Sequence, residues 1–149
     1  MARFEPRDPN FEERVRESFA RQTLMGTIGA RLSLVSPGEV EIELPYRKDL
    51  SQQHGYLHAG VVTAIVDTAC GYSALTLMQA GAEVLTIEYK INFVSPAVGE
   101  RLIARGRVTR PGRTVTVCAG EVFAASEGGE KLVASMLATM ISLRGEPPI

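Results

Sequence analysis

The sequence has little net charge, and this excludes some classes of partner. Its 149 residues include 16 basic and 17 acidic side chains, which leaves a formal net charge of −1. No overall field attracts nucleic acid or an anionic membrane surface, so we expect neither as a partner. An anionic ligand must instead be held by a local group of basic residues.

Cysteine is also scarce. Cys70 and Cys118 lie far apart in apolar surroundings. Their number and spacing match neither a disulfide framework nor a zinc site, so they are interpreted as buried small side chains. We expect no metal and no cofactor. This composition fits a protein of the reducing cytoplasm.

Segments that enter a membrane are not expected either. Residues 1–19 are charged throughout and lack the apolar centre of a signal peptide. Residues 59–82 are apolar, but they contain Asp67 and three glycines and have no basic residue just after them. A buried helix of a globular domain explains this segment better than a membrane span.

Two helices are predicted. Apolar residues recur at helical spacing after Asn10, with charged residues between them, which predicts an N-terminal amphipathic helix ending at Gly26 and Gly29. Residues 59–79 contain no proline and are apolar on nearly all faces. They predict one long central helix that is covered on most sides.

Six segments with strand-like patterns are separated by turn residues: 30–35, 40–44, 83–94, 101–109, 114–124 and 132–143. Short links between consecutive strands predict an antiparallel meander. The predicted fold class is therefore α+β, with one helix wrapped by a curved antiparallel sheet of about six strands. We divide the chain into an N-terminal helix packed on the domain (1–25), the main domain (26–144) and a flexible tail (145–149).

Asp67 is the only charged residue between positions 50 and 82. A carboxylate in an apolar helix loses hydration, which is costly unless it is paired or protonated. No basic residue lies within two helical turns, so burial should raise its pKa, whereas hydrogen bonds to the ionised form would lower it. Asp67 is a candidate catalytic carboxylate; the alternative is that it faces solvent or bonds a neighbouring loop.

The loop from Gln52 to Gly60 leads directly into this helix. Free N–H groups at the start of a helix can bind a polarised carbonyl, and the small residues Ala59 and Gly60 allow a ligand to approach. A carbonyl-polarising donor together with a lone carboxylate suits thioester hydrolysis. However, eight residues, or about 12 Å of helix, separate Ala59 from Asp67. The chemistry therefore predicts a two-fold dimer with shared sites.

These residues resemble the PaaI-like (phenylacetate-degradation type) hotdog thioesterases. The resemblance covers about residues 26–143. It rests on Gln52-x-x-Gly55-x-x-His58-x-Gly60, Asp67-Thr68, the segment 85–97 and Gly112-Arg113-Thr114. It implies the hotdog fold, hydrolysis of aryl- or fatty-acyl-CoA thioesters without a metal, and a homotetramer made of two dimers.

The resemblance also implies roles for individual residues. Asp67 would be the nucleophile or general base, and Ala59 would supply a main-chain N–H where the family usually has Gly. Gln52, where the family usually has Asn, would help to place water or the thioester. His58 would orient the loop, and Thr86 would provide a hydroxyl from the partner subunit. Substrate contacts are assigned to Gly55, Gly60 and Thr68.

CoA carries several phosphates, so it needs cations. Arg110 and Arg113 flank a turn and are candidate contacts; a solvated strand end is the alternative. Arg101, Arg105 and Arg107 alternate on one strand, which is typical of a solvent-facing surface.

Two other functions are compatible with these residues. A hotdog acyl-CoA dehydratase or hydratase would use a catalytic histidine, for which His58 is placed. A non-catalytic acyl-CoA-binding domain would bind without turnover. A metal hydrolase would need a third ligand beside His54 and His58, and the glycine between them indicates a loop rather than a helical metal site.

Overall fold

One long helix and one six-stranded sheet make up most of the chain, of which a computed structural model describes residues 4–144. The predicted tail, 145–149, lies outside the described residues. The elements, in chain order, are α1 (Phe11–Arg21), α2 (Thr23–Ile28), β1 (Arg31–Ser36), β2 (Glu39–Pro45), α3 (Ala59–Leu75), β3 (Ala82–Phe93), β4 (Arg101–Arg110), β5 (Val115–Ser126) and β6 (Gly129–Arg144). The α+β class is confirmed.

The sheet is antiparallel throughout, with the strand order β1-β2-β4-β5-β6-β3. The predicted meander is correct for β4, β5 and β6 but wrong for β3, which pairs with β6 at the sheet edge. The link 94–100 therefore forms no hairpin. It crosses the ends of β6 and β5, and it donates from Val94 to Val133 and from Glu100 to Ala125. Three strand spacings are about 14 Å, and seven residues can span up to about 23 Å.

The N-terminal segment forms two helices rather than one. Gln22 adopts an extended conformation between α1 and α2, and Gly29, with φ of 80°, ends α2 in the left-handed region. Gly26 lies within α2, so the prediction that it ends the helix is wrong. Asn10 makes no side-chain cap; instead the Asp8 carboxylate accepts its N–H at 2.9 Å.

Helix α3 packs against five of the six strands. Its sheet-facing side is fully buried at Ile65, Val66 and Ala69. Two glycines in the sheet permit this close approach: a Cβ on Gly106 would clash with the backbone of Ala69, and one on Gly120 would lie 2.6 Å from Val66. The sheet therefore fixes the position of α3, and with it the positions of both ends of the candidate site.

The predicted extent of α3 is too long by four residues. The helix ends at Leu75, and the chain then continues in tight turns to Gln79. The Arg14 guanidinium donates to the carbonyl oxygens of Leu75, Met78 and Gln79 at 2.6 to 2.8 Å. These carbonyls need a donor at a helix end, and Arg14 fastens α1 to that end. No helix within residues 4–144 is long and apolar enough to cross a membrane.

Candidate active site

Asp67 lies on α3 and is half-buried, as its apolar surroundings predicted. The Thr86 hydroxyl donates to its Oδ1 at 2.8 Å. No basic side chain of the described residues forms an ion pair with it. Burial raises the pKa of Asp67, and the hydrogen bond from Thr86 opposes that rise because it favours the ionised form.

Thr86 reaches Asp67 from β3 of the same chain. Thr86 therefore belongs to the same subunit as Asp67, and its role in a site shared with a partner subunit stays a prediction. The antiparallel pairing of β3 with β6 puts Thr86 opposite Met140, at the beginning of β3 and beside the middle of α3. Strand β3 lies at the edge of this chain's own sheet, and its first half lies beside this chain's own helix α3.

An open cleft of about 400 Å³ leads to Asp67; we call it the carboxylate cleft. Its walls come from α3, from the start of β3 and from α1. Besides Asp67, Thr68 and Thr86, it is lined by Ser18, Arg21, Gln22, Gly71, Tyr72, Glu83, Val84 and Leu85. The α1 residues were missed by sequence reasoning, because the helical spacing of Val15 and Phe19 shows that α1 lies on the domain but not where.

At the N-terminus of α3, His58 caps the helix. Its Nδ1 accepts the N–H of Gly60 at 2.8 Å, and its carbonyl accepts the N–H groups of Val61 and Val62. A Cβ on Gly60 would lie 3.0 Å from Nδ1, so glycine gives the imidazole room for this contact. His58 thus takes up three of the N–H groups that begin the helix.

The N–H of Ala59 is left over. Among residues 4–144 no acceptor bonds it, although the N–H groups of both its neighbours have partners. Ala59 is exposed and is the first residue of α3. A free donor at a helix N-terminus attracts a carbonyl or anionic oxygen.

Gln52 and Gly55 shape the loop before this helix. The side-chain oxygen of Gln52 accepts the N–H of His54, and Gly55 has φ of 85°, a conformation that favours glycine. Gly55 therefore forms the turn and lines neither cleft. The Gln52 amide nitrogen has no acceptor within the described part of the chain.

A second open cleft, of about 250 Å³, adjoins Ala59; we call it the amide cleft. Its walls come from the loop, from α3, from the end of β3, from the link after it and from β6. It is lined by Gln52, Gln53, Tyr56, Leu57, His58, Ala59, Val62, Phe93, Ser95, Pro96, Ala97 and Val133. The structure therefore places most of the predicted site residues in two clefts, one at the N-terminus of α3 and one beside its middle.

Arg110 and Arg113 line neither cleft. Both are exposed at the turn between β4 and β5, and neither forms an ion pair with a carboxylate of residues 4–144. By contrast, Arg105 pairs with Glu41 at 2.8 Å and with Glu130 at 2.9 Å. The prediction that the alternating arginines form a solvent-facing surface agrees with these cross-strand pairs.

In the described part of the chain, no three His, Cys, Asp or Glu side chains come together as ligands. Cys70 and Cys118 are buried and unpaired, and burial raises the pKa of the Cys118 thiol to about 11.

Solved structures with this fold include two informative relatives. A thioesterase family protein from Silicibacter pomeroyi superposes with a TM-score of 0.89 at 49% identity, over 91% of this chain and 99% of that one. The PaaI protein of Escherichia coli superposes with a TM-score of 0.82, over 91% and 95% of the two chains. At 17% identity, the second likeness shows the fold alone.

Sequence comparison gives the same family. Human acyl-coenzyme A thioesterase 13 is 30% identical over 88 residues, which are 57% of this chain and 62% of the human protein. Across the curated relatives, the aligned segments span 56% to 77% of the relative's own length. The model of the thioesterase superfamily matches residues 54–131, from the amide cleft through α3 and most of the sheet. The hotdog fold and the thioesterase resemblance are thereby confirmed, and the chain belongs to the thioesterase superfamily.

Proposed function

We propose that this protein hydrolyses acyl-CoA thioesters to the free acid and CoA. One observation carries the proposal: a single helix offers an unbonded main-chain N–H at its first residue, Ala59, and a half-buried carboxylate, Asp67, two turns later. The first group can polarise a thioester carbonyl, and the second can activate the attacking water.

The Ala59 N–H would act on the carbonyl oxygen. As water attacks, negative charge develops on this oxygen, and a fixed donor at a helix N-terminus stabilises it without having to reorganise. His58 supports this role indirectly, because it takes up the neighbouring N–H of Gly60 and holds the first turn in place. The backbone supplies the donor, so alanine serves as well as glycine.

Asp67 would act on the water. Thr86 holds Oδ1, which leaves Oδ2 to accept a proton from water. Burial raises the pKa of Asp67 and makes the carboxylate a better base, while the Thr86 hydrogen bond helps to keep it ionised. In this role Asp67 is a general base; direct attack by its carboxylate is the variant of the mechanism that the chemistry also allows.

These two groups act on one substrate only if two chains combine. About 12 Å of helix separates them, and they line different clefts. We infer a two-fold dimer in which the amide cleft of one subunit faces the carboxylate cleft of the other. Two-fold symmetry then creates two identical shared sites.

Strand β3 is the surface that supports this dimer. It is a 12-residue strand at the sheet edge, and it exposes Leu85, Ile87, Tyr89 and Phe93. A long apolar edge strand is a template for pairing with another chain. Leu85 and Thr86, near its beginning, line the carboxylate cleft, whereas Phe93, at its end, lines the amide cleft. Antiparallel pairing of two copies of β3 would therefore bring unlike clefts together.

The outer sheet face supports the further proposal of a tetramer. Val115, Val117 and Leu137 are exposed there on neighbouring strands, and Leu137 is 62% exposed. Towards β2 the same face carries the paired arginines and glutamates instead. Two dimers could cover the apolar half and leave the charged half in solvent.

Arg110 and Arg113 are proposed to contact the CoA phosphates. Both are exposed and lack carboxylate partners among the described residues, unlike the arginines earlier on β4. A cation without a partner can bind a phosphate without first breaking an ion pair.

The domain division at residue 25 and the cytoplasmic location stay predictions.

The dehydratase alternative is disfavoured by one hydrogen bond. Nδ1 of His58 accepts the Gly60 N–H, so in the neutral imidazole the proton resides on Nε2. A proton-abstracting base would need a lone pair at Nε2. The non-catalytic alternative predicts binding of acyl-CoA with no turnover.

The test is a panel of acyl-CoA esters followed by release of free thiol, with enoyl product measured in parallel. Thiol release that is lost in Asp67→Asn, with binding of acyl-CoA retained, is the expected result. Enoyl product without thiol release would support the dehydratase. Binding with no turnover of any ester would support the binding domain.

A further inference from the structure

Helices α1 and α3, with Gln22 after α1, bring a group of polar side chains together in the carboxylate cleft. We call Ser18, Gln22, Thr68 and Tyr72 the polar cluster. The Gln22 amide nitrogen donates to the Tyr72 hydroxyl at 3.2 Å, Thr68 donates to the Gln22 side-chain oxygen at 3.3 Å, and the Ser18 and Tyr72 hydroxyls are 3.1 Å apart. All four residues line the cleft. The mechanism proposed above uses none of these contacts.

The four side chains of the cluster carry more polar hydrogens than the hydrogen bonds within the cluster use. Each of the three hydroxyls carries one polar hydrogen and the Gln22 amide carries two. The three hydrogen bonds within the cluster consume three of them. One amide hydrogen of Gln22 is left over, together with one hydroxyl hydrogen on either Ser18 or Tyr72. A group that accepts hydrogen bonds can therefore bind here without displacing any hydrogen bond of the cluster.

The cluster is also held in place. Tyr72 is buried, and its ring lies 6.1 Å from that of Phe19. Arg14 fastens α1 to the carbonyl groups at the end of α3. Groups that are positioned before binding lose little freedom when a ligand arrives.

The charged side chains that also line the cleft do not take the place of the two unused polar hydrogens of the cluster. Arg21 and Glu83 are both exposed, and both line the cleft. A cation favours an oxygen acceptor and a carboxylate opposes an anionic one, so a neutral carbonyl oxygen suits the cleft best.

We propose that the polar cluster is a specificity-determining subsite that binds a carbonyl oxygen of the substrate. The proposal rests on the function proposed above, because it places the substrate in the cleft that contains Asp67. Two parts of a thioester substrate can supply such an oxygen: an amide of the pantetheine arm, or a carbonyl in the acyl chain. Thr68 directly follows Asp67, so the bound oxygen lies close to the reacting carbon in either case.

The test compares kcat/KM of Tyr72→Phe and Gln22→Met with the wild type on four thioesters. Hexanoyl-CoA and 5-oxohexanoyl-CoA differ by a carbonyl in the acyl chain. The hexanoyl thioesters of N-acetylcysteamine and of ethanethiol differ by the pantetheine-like amide. Both variants preserve side-chain volume, so the packing of Tyr72 on Phe19 is retained.

If the cluster binds the acyl carbonyl, each variant loses about tenfold on 5-oxohexanoyl-CoA and little on hexanoyl-CoA. If it binds the pantetheine amide, each loses about tenfold on hexanoyl-CoA and on the N-acetylcysteamine ester but little on the ethanethiol ester. Arg16→Gln, on the exposed side of α1, is the control and should behave as wild type. Equal losses on all four thioesters, or no loss on any, would overturn the proposal.

A failure of the proposed function gives a different result. In that case the wild type releases no thiol from any of the four esters, or Asp67→Asn releases it at the wild-type rate. The subsite can fail while hydrolysis by Asp67 is intact, and the substrate dependence of the variants then shows it.

Discussion

The N-terminus and the middle of α3 hold the two halves of the proposed chemistry, and they differ in kind. At the middle a side chain acts: Asp67, half-buried and fixed by Thr86. At the N-terminus the backbone acts: the N–H of Ala59, left free while His58 takes up its neighbours. The comparison shows why positions 67 and 59 tolerate substitution differently. Only aspartate or a close equivalent can serve at position 67, whereas most residues with an N–H could serve at position 59.

The largest effect is expected at the carboxylate. Asp67→Asn keeps the shape of the side chain but removes the base, so kcat should fall about a thousandfold. Thiol release measures this, and a binding titration with acyl-CoA shows that the site persists. Turnover like that of the wild type would remove Asp67 from the mechanism.

The same substitution should not reduce stability at neutral pH. The pKa of Asp67 in the folded protein is raised above its ordinary value by burial. The contribution of this group to stability is therefore greatest below its unfolded pKa and is lost as pH rises through its folded pKa. At neutral pH the ionised carboxylate is a cost that asparagine lacks, so thermal unfolding should show a Tm for Asp67→Asn equal to or above that of the wild type.

Position 59, at the N-terminus of α3, should respond to loss of its N–H and not to loss of its side chain. Ala59→Pro removes the donor, and proline fits the first position of a helix after a residue as extended as His58, with ψ of 138°. We expect kcat to fall about a hundredfold, while Ala59→Gly stays near wild type. Equal activity of the proline and glycine variants would contradict a role for this N–H.

A smaller effect is expected when the hydrogen bond from Thr86 is removed and burial alone acts on the pKa of Asp67. Thr86→Val removes the hydrogen bond that lowers the pKa of Asp67 and leaves the burial that raises it. The acid limb of the pH–rate profile should therefore move to higher pH, whereas Thr86→Ser should leave it in place. A limb that moves to lower pH, or stays unchanged in Thr86→Val, would show that Thr86 does not tune this carboxylate.

The smallest effect concerns a residue outside both clefts. Arg113→Ala removes one exposed positive charge, so KM for a CoA ester should rise about threefold, the effect of an exposed ion pair. KM for the same acyl group on N-acetylcysteamine, which lacks the nucleotide, should not change. Equal effects on both esters would show that Arg113 does not contact the nucleotide.

The same contrast between side chain and backbone explains what the sequence could reveal. Asp67 stands out because a lone carboxylate in an apolar stretch is visible from residue types alone. The free N–H of Ala59 is less visible, since it depends on how His58 folds back onto Gly60. The strand order could not be read correctly, because the link 94–100 looks like a hairpin turn but crosses two strand ends. The polar cluster was missed because contacts between α1 and α3 join residues about 50 positions apart.

Mixing two inactive variants tests the shared site most directly. Asp67→Asn retains the Ala59 N–H, and Ala59→Pro retains the carboxylate, so a dimer containing one of each has one complete site and one site with neither group. Unfolding and refolding an equal mixture should form mixed dimers in half of the population and recover about one quarter of wild-type activity. A mixture that forms mixed dimers yet stays as inactive as its two components would contradict a site built from two chains.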